Sequence, residues 1–193
     1  MWIKICGMTS AEGVAAALAM QVDALGFVFA DSVRRVSPQQ AAALARPARP
    51  RVCCVAVMRH PTQALVDTVL EVLRPDALQA DVAELERLRL PMTLELLPVV
   101  RAAVTGPAPL PARILFEGAT SGAGALSDWQ AAAELAPRTQ LVLAGGLNPA
   151  NVGAAIGAVR PFGVDVSSGV EAAAGVKSAA LIESFVLSAR AAP

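Results

Sequence analysis

Nothing in this 193-residue chain approaches the roughly 18 consecutive apolar residues that a membrane-crossing helix needs, although 55% of the residues are hydrophobic. The opening Met1-Trp2-Ile3-Lys4-Ile5-Cys6-Gly7 lacks the basic flank, apolar stretch and small-residue cleavage site of a signal peptide, so a cytoplasmic location is expected. Excess charge is missing too. Sixteen basic and 16 acidic residues leave a formal net charge of zero, which gives no electrostatic footprint for nucleic acid. Lysine is scarce: Lys4 and Lys177 are the only two, and the other basic residues are arginines. There is one histidine, His60, too few for a His-rich metal site. The three cysteines, Cys6, Cys53 and Cys54, are odd in number and argue against a disulfide framework. Cys53 and Cys54 are adjacent, so on a strand they would point to opposite faces and could not readily chelate one ion. No metal is expected.

What is present is a hydrophobic chain of mean hydropathy +0.54, enough for a large core. Short apolar runs at 2–6, 24–29, 52–58, 77–79, 92–97, 113–116, 140–144 and 163–166 read as strands. Several are continuously apolar, as in a sheet covered on both faces. Between them, helical patterns occupy 11–20, 38–45, 61–73, 82–88, 129–135, 149–159 and 178–189. Ser37-Pro38, Ser127-Asp128 and Asn148-Pro149 supply start signals. Alternating β and α units imply a parallel sheet, and eight strands can close it into a compact (βα)8 TIM barrel over residues 1–193 as one domain. The segment 99–111 contains Gly106, Pro107, Pro109 and Pro111, so the helix after strand five is short or broken. A doubly wound open sheet is the structural alternative.

In such a barrel the chemistry gathers at the C-terminal strand ends, and loops after strands seven and eight commonly hold phosphate. Ala144-Gly145-Gly146-Leu147-Asn148-Pro149 and Ser167-Ser168-Gly169-Val170-Glu171 occupy those two places. Glycines allow close backbone approach to an anion, and hydroxyls add donors. Either motif alone could be a plain turn; the consecutive pair favours phosphate binding. On strand one, alternation puts Lys4 and Cys6 on one face, with Cys6 at the mouth. A thiol there is either a buried structural cysteine or, if nearby positive charge helps it ionise, a base. Strand six ends in Glu117, a possible general acid, charge partner or solvated residue. Gly118, Gly122 and Gly124 follow it as a possible lid. After strand two, Arg34 is either an ordinary surface arginine or a bidentate clamp for a carboxylate.

Taken together, these segments resemble the phosphoribosylanthranilate isomerases. Lys4-Ile5-Cys6-Gly7-Met8-Thr9, Gly26-Phe27-Val28-Phe29 with Ser32-Val33-Arg34-Arg35-Val36-Ser37-Pro38, Leu143-Ala144-Gly145-Gly146-Leu147-Asn148-Pro149, and Gly163-Val164-Asp165-Val166-Ser167-Ser168-Gly169-Val170-Glu171 follow that family's signatures in order. The resemblance implies a cofactor-free barrel of tryptophan biosynthesis performing an Amadori rearrangement of phosphoribosylanthranilate. It implies Cys6 as the general base at C2′ and Glu117 as the general acid at the ring oxygen. Arg34 would hold the anthranilate carboxylate, and Gln79 and Asp165 would contact substrate. Gly145, Gly146, Ser167, Ser168 and Gly169 would line the phosphate site. A small-molecule substrate and a monomeric protein are the expected partnership. Four departures stand out. Glu117 replaces the family aspartate, and Val33 a proline. Gln79-Ala80-Asp81-Val82 replaces Gln-Leu-His-Gly, and Ser178 stands where an aspartate often follows the lysine. The competing readings are another phosphate-binding barrel, such as a sugar-phosphate epimerase or the indole-forming lyase subunit, and a barrel that binds a phosphorylated ligand without turnover. A metal-using epimerase would want more histidines, and the lyase a carboxylate pair.

Overall fold

The structure, a computed structural model, describes residues 1–101, 110–118 and 127–193. The broken helix expected within 99–111, and Gly122 and Gly124 of the expected lid, fall mostly or wholly outside the described residues.

Eight strands run in order around a closed barrel. They are β1 (Trp2–Cys6), β2 (Ala24–Val28), β3 (Cys53–Val57), β4 (Ala77–Asp81), β5 (Glu95–Val100), β6 (Arg113–Phe116), β7 (Gln140–Leu143) and β8 (Gly163–Val166). Every neighbouring pair is parallel, and β8 closes onto β1 with Lys4 opposite Asp165. The helices are α1 (Ala11–Ala19), α2 (Pro38–Ala45), α3 (Gln63–Val72), α4 (Val82–Leu85), α5 (Trp129–Leu135), α6 (Val152–Val159) and α7 (Ala179–Ala191). An antiparallel pair, β9 (Glu171–Ala173) and β10 (Val176–Lys177), follows β8. It was not legible in the sequence.

Period-two alternation divides each strand between two cores. Ala24, Val55, Ala77, Leu97, Val99, Leu115, Val142 and Ala144 form the cluster inside the barrel. Ile3, Ile5, Leu25, Phe27, Leu78, Ile114, Phe116, Leu141, Val164 and Val166 belong to the larger cluster beneath the helices. Cys54 joins that outer cluster while Cys53 packs against the inner one, so the two thiols do part.

Three elements depart furthest from the sequence reading, the other limits differing by two residues or fewer. The fifth strand lies at Glu95–Val100, not 92–97. Fully exposed Met92 stays in the preceding turn, and the strand continues through Pro98 despite that residue's missing ladder donor. Helix α4 stops at Leu85. Helix α6 begins at Val152 rather than 149, because Asn148 caps a turn before it: its Oδ1 accepts from the Ala150 N–H at 2.9 Å and the Asn151 N–H at 3.2 Å. The other start signals behave as read. Ser37 forms a capping box with Gln40, and Asp128 accepts from the Gln130 and Ala131 amides.

At the N-terminal mouth, Arg113 closes the barrel floor. Its guanidinium lies 5.5 Å from the Trp2 ring centre and 4.9 Å from that of Phe162. It also pairs with Glu95 and donates to the Gln140 Oε1 at 2.9 and 3.0 Å. Arg113→Met is expected to lower the unfolding free energy by about 1–2 kcal/mol, seen as a lower urea midpoint with unchanged slope. A midpoint matching the parent would show that this floor adds no stability.

Candidate active site

A cavity of about 200 Å³ opens at the C-terminal mouth, and all eight strands or the loops after them contribute to its wall. Cys6, Arg34, Gln79, Glu117, Gly145, Gly146, Asp165, Ser167 and Ser168 all line it. Gly169 does not. A Cβ there would lie 1.9 Å from the Leu147 carbonyl oxygen, so the missing side chain lets the loop after β8 press against the loop after β7. Gly145 and Gly146 take φ of +89° and +65°, a left-handed pair that side chains resist. Asn151 braces this turn, with its Nδ2 donating to the Gly146 carbonyl at 2.9 Å.

Beneath the thiol lies a buried ion pair. The fully buried Lys4 donates from Nζ to the Asp165 Oδ1 at 2.8 Å. Strand pairing sets the two residues side by side, and the alternation of β1 turns Cys6 to the same inner face. Gly26 on β2 leaves the room: a Cβ there would sit 2.8 Å from the Cys6 Sγ and 3.2 Å from the Lys4 Cε. Burial pushes the Cys6 thiol above its ordinary value, while Lys4 and Lys177 pull against that rise. Burial also opposes charge on Lys4, but Asp165 and Cys6 together more than offset it and hold the ammonium protonated.

On the neighbouring rim, Arg34 donates from Nε and Nη2 to the two oxygens of Glu171, at 2.7 and 2.9 Å. Lys177 reaches the same carboxylate at 2.8 Å and donates to the Ser167 carbonyl at 2.9 Å. The Ser167 hydroxyl donates to the Cys6 carbonyl at 3.1 Å. These contacts tie the arginine, the β9–β10 pair, the loop after β8 and the end of β1 into one unit. Glu171 uses one edge of the planar guanidinium, which leaves its Nη1 side for a planar anion. Burial opposes the charge of Glu171, yet the hydrogen bonds from Arg34 and Lys177 hold its carboxyl down to about 2.

Across the cavity, Glu117 at the end of β6 accepts from the Arg101 Nη2 at 2.8 Å, and Arg101 also pairs with Asp81 at the end of β4. Gln79 is nine-tenths buried, and its Oε1 has no hydrogen-bond partner among the described residues. A buried acceptor without a partner on a cavity wall is a vacancy for a ligand donor. The described residues contain no group of three or more His, Cys, Asp or Glu side chains placed to hold a metal ion. No described helix is long and apolar enough to cross a membrane.

The family model for N-(5'-phosphoribosyl)anthranilate (PRA) isomerase matches residues 3–188. The chain belongs to the phosphoribosylanthranilate isomerase family. A relative named N-(5'-phosphoribosyl)anthranilate isomerase from Mesorhizobium japonicum is 38% identical over 98% of this chain and 95% of its own length. The solved phosphoribosyl anthranilate isomerase of Thermus thermophilus superposes with a TM-score of 0.82 at 30% identity, covering 97% of this chain and 98% of that one. Another solved isomerase, also 30% identical with a TM-score of 0.75 and 98% coverage of both chains, is in complex with reduced 1-(o-carboxyphenylamino)-1-deoxyribulose 5-phosphate.

Within this isomerase family the departures gain a structural context. Asp81, where the family motif has histidine, shares Arg101 with Glu117. Ser178 caps α7 by accepting from the Leu181 amide at 3.3 Å, a task an aspartate also performs. Val33 is exposed on the rim. Sequence reading missed Arg101 and the pairing of Lys4 with Asp165, and it gave Glu171, which ends the motif after strand eight, no role. Arg101 stands in no motif, and only the inward alternation of Lys4 hinted at its pairing.

The low Glu171 carboxyl value fixes the sign of a pH effect. A carboxylate held below its unfolded value stabilises the fold above about pH 4.5 and loses that contribution as pH falls toward 2. Glu171→Gln should cost about 3 kcal/mol at pH 6 and flatten the loss of stability across that acid window in urea unfolding. Parallel pH curves for parent and variant would contradict the assignment.

Proposed function

We propose that this chain catalyses the Amadori rearrangement of N-(5-phosphoribosyl)anthranilate to 1-(2-carboxyphenylamino)-1-deoxyribulose 5-phosphate, with Cys6 as general base and Glu117 as general acid. The observation that carries this reading is the shared cavity. A thiol from β1 and a carboxyl from β6 face one space, and the glycine and serine loops after β7 and β8 form another part of its wall. The solved relative bound to a reduced form of the same aminoketose supports it.

The reaction moves one proton off carbon and one onto oxygen. Glu117, in its protonated form, gives a proton to the furanose ring oxygen, the C1′–O bond breaks, and the anilino nitrogen lone pair forms the protonated imine. The Cys6 thiolate then takes the C2′ proton, giving an enolamine that tautomerises to the aminoketose. No oxidant or cofactor enters this balance. Each of the two groups is worth about 10²–10⁴ in rate. The open edge of Arg34 receives the anthranilate carboxylate, the unpartnered Gln79 Oε1 accepts from substrate, and Asp165 adds a contact from the floor. The phosphate sits against Gly145, Gly146, Ser167 and Ser168, with Gly169 holding the two loops together. The same reading takes residues 1–193 as one domain that acts on its small-molecule substrate as a monomer in the cytoplasm.

The test is to generate phosphoribosylanthranilate in situ and follow the loss of its fluorescence. Cys6→Ala and Glu117→Ala should each reduce kcat by about 10²–10⁴ with unchanged circular dichroism, and Glu117→Asp should keep part of the rate. Near-normal turnover by either alanine variant would refute that residue's role. Arg34→Ala should raise KM by about tenfold or more, the loss of a charge-assisted bidentate contact. If only inorganic phosphate inhibition weakened, the carboxylate would have been assigned to the wrong group.

A further inference from the structure

We propose that Lys4 is a positioning residue for Cys6: its ammonium, pinned in the barrel by Asp165, supplies the positive charge against which the sulfur ionises. This rests on the reading of Cys6 as the base. Lys4 is fully buried, and Asp165 is its ion-pair partner at 2.8 Å. A buried pair of this kind is weak as a stabilising device, since apolar residues of similar volume often serve as well or better. Its position offers another use. The Cys6 Sγ and the Lys4 Cε both lie within 3.2 Å of the one point a Cβ would occupy at Gly26. The glycine on β2 therefore lets sulfur and lysine share a space that any larger residue would divide.

Four charged groups face the thiol. Lys4 comes from its own strand, Asp165 from β8, Lys177 from β10 and Arg34 from the loop after β2. Arg34 and Lys177 are both engaged by Glu171. Asp165 opposes a second negative charge nearby, and the pull of Lys4 on the sulfur outweighs it. Without Lys4, burial and Asp165 would act together against the thiolate. Lys4 thus acts through Cys6 and need not touch substrate.

The readout is the rate of iodoacetamide alkylation at Cys6, followed by peptide mass spectrometry from neutral to alkaline pH. Cys53 and Cys54, whose thiols burial also pushes up and which lie away from Lys4 on β3, serve as internal references. Lys4→Met should move the Cys6 profile upward by about one pH unit or more, which makes alkylation about tenfold slower at neutral pH. In the same variant kcat should fall by a similar factor at neutral pH and recover in alkali, with KM little changed. Should Lys4→Met fail to fold, Lys4→Met/Asp165→Asn leaves no unpaired buried carboxylate, and its alkylation profile should also lie above the parent's. Profiles that superimpose on the parent's overturn the proposal, even if activity is lost. Alkylation needs no substrate, so a parent chain that fails to isomerise phosphoribosylanthranilate sinks the functional reading while the effect of Lys4 on the sulfur is still decided.

Discussion

The ammonium of Lys4 and the carboxylate of Asp165 meet across the seam where the last barrel strand pairs with the first. These residues are 161 positions apart in the chain, yet they lie opposite one another in the ladder. A one-residue slip of β8 against β1 would turn Asp165 away from the interior and leave a buried lysine alone. The pair thus favours one register over its neighbours, and with that register the thiol of Cys6, the hydroxyl of Ser167 and the glycine and serine loops after β7 and β8 come to face one cavity. Closure of the barrel and assembly of the site are the same event at this seam.

Around the mouth, charge is organised into two chains of contact. One runs Arg34–Glu171–Lys177–Ser167 and spans the loop after β2, the β9–β10 pair and the loop after β8. The other runs Asp81–Arg101–Glu117 and spans the ends of β4, β5 and β6. Each ties loops from different strands together, which limits how far the side chains at the mouth can wander. For acid–base chemistry this matters, because proton transfer needs heavy atoms within hydrogen-bond reach. The longer side chain of Glu117, relative to the family aspartate, is held by an arginine that is itself held on its other side.

Much of the architecture could be read from the chain alone. All eight strands and seven helices lie where apolar period and capping residues place them, with limits that shift by at most three residues, most at β5, α4 and α6. Those shifts have local causes. Pro98 reads as a stop signal but is tolerated within β5, and Asn148 caps a turn where a helix start was expected. The antiparallel pair β9–β10 was invisible because its strands are three and two residues long, too short to show a period. Of the nine cavity-lining residues singled out in the sequence, Cys6, Arg34, Glu117 and the glycine and serine loops follow from strand ends and the barrel rule, whereas Gln79 and Asp165 came only from the family resemblance.

By itself the sequence determined the strand and helix order, the inward face of Lys4 and Cys6, and the loop chemistry after β7 and β8, because these depend on neighbours within a few positions. Only the tertiary structure decided who pairs with whom. Lys4 with Asp165, Arg34 with Glu171 and Arg101 with Glu117 are set by strand register and barrel closure, which join residues far apart in the chain. The same closure decided that Gly169 packs one loop on another while Gly145 and Gly146 face the cavity, since the space beside a glycine belongs to whatever the fold brings against it.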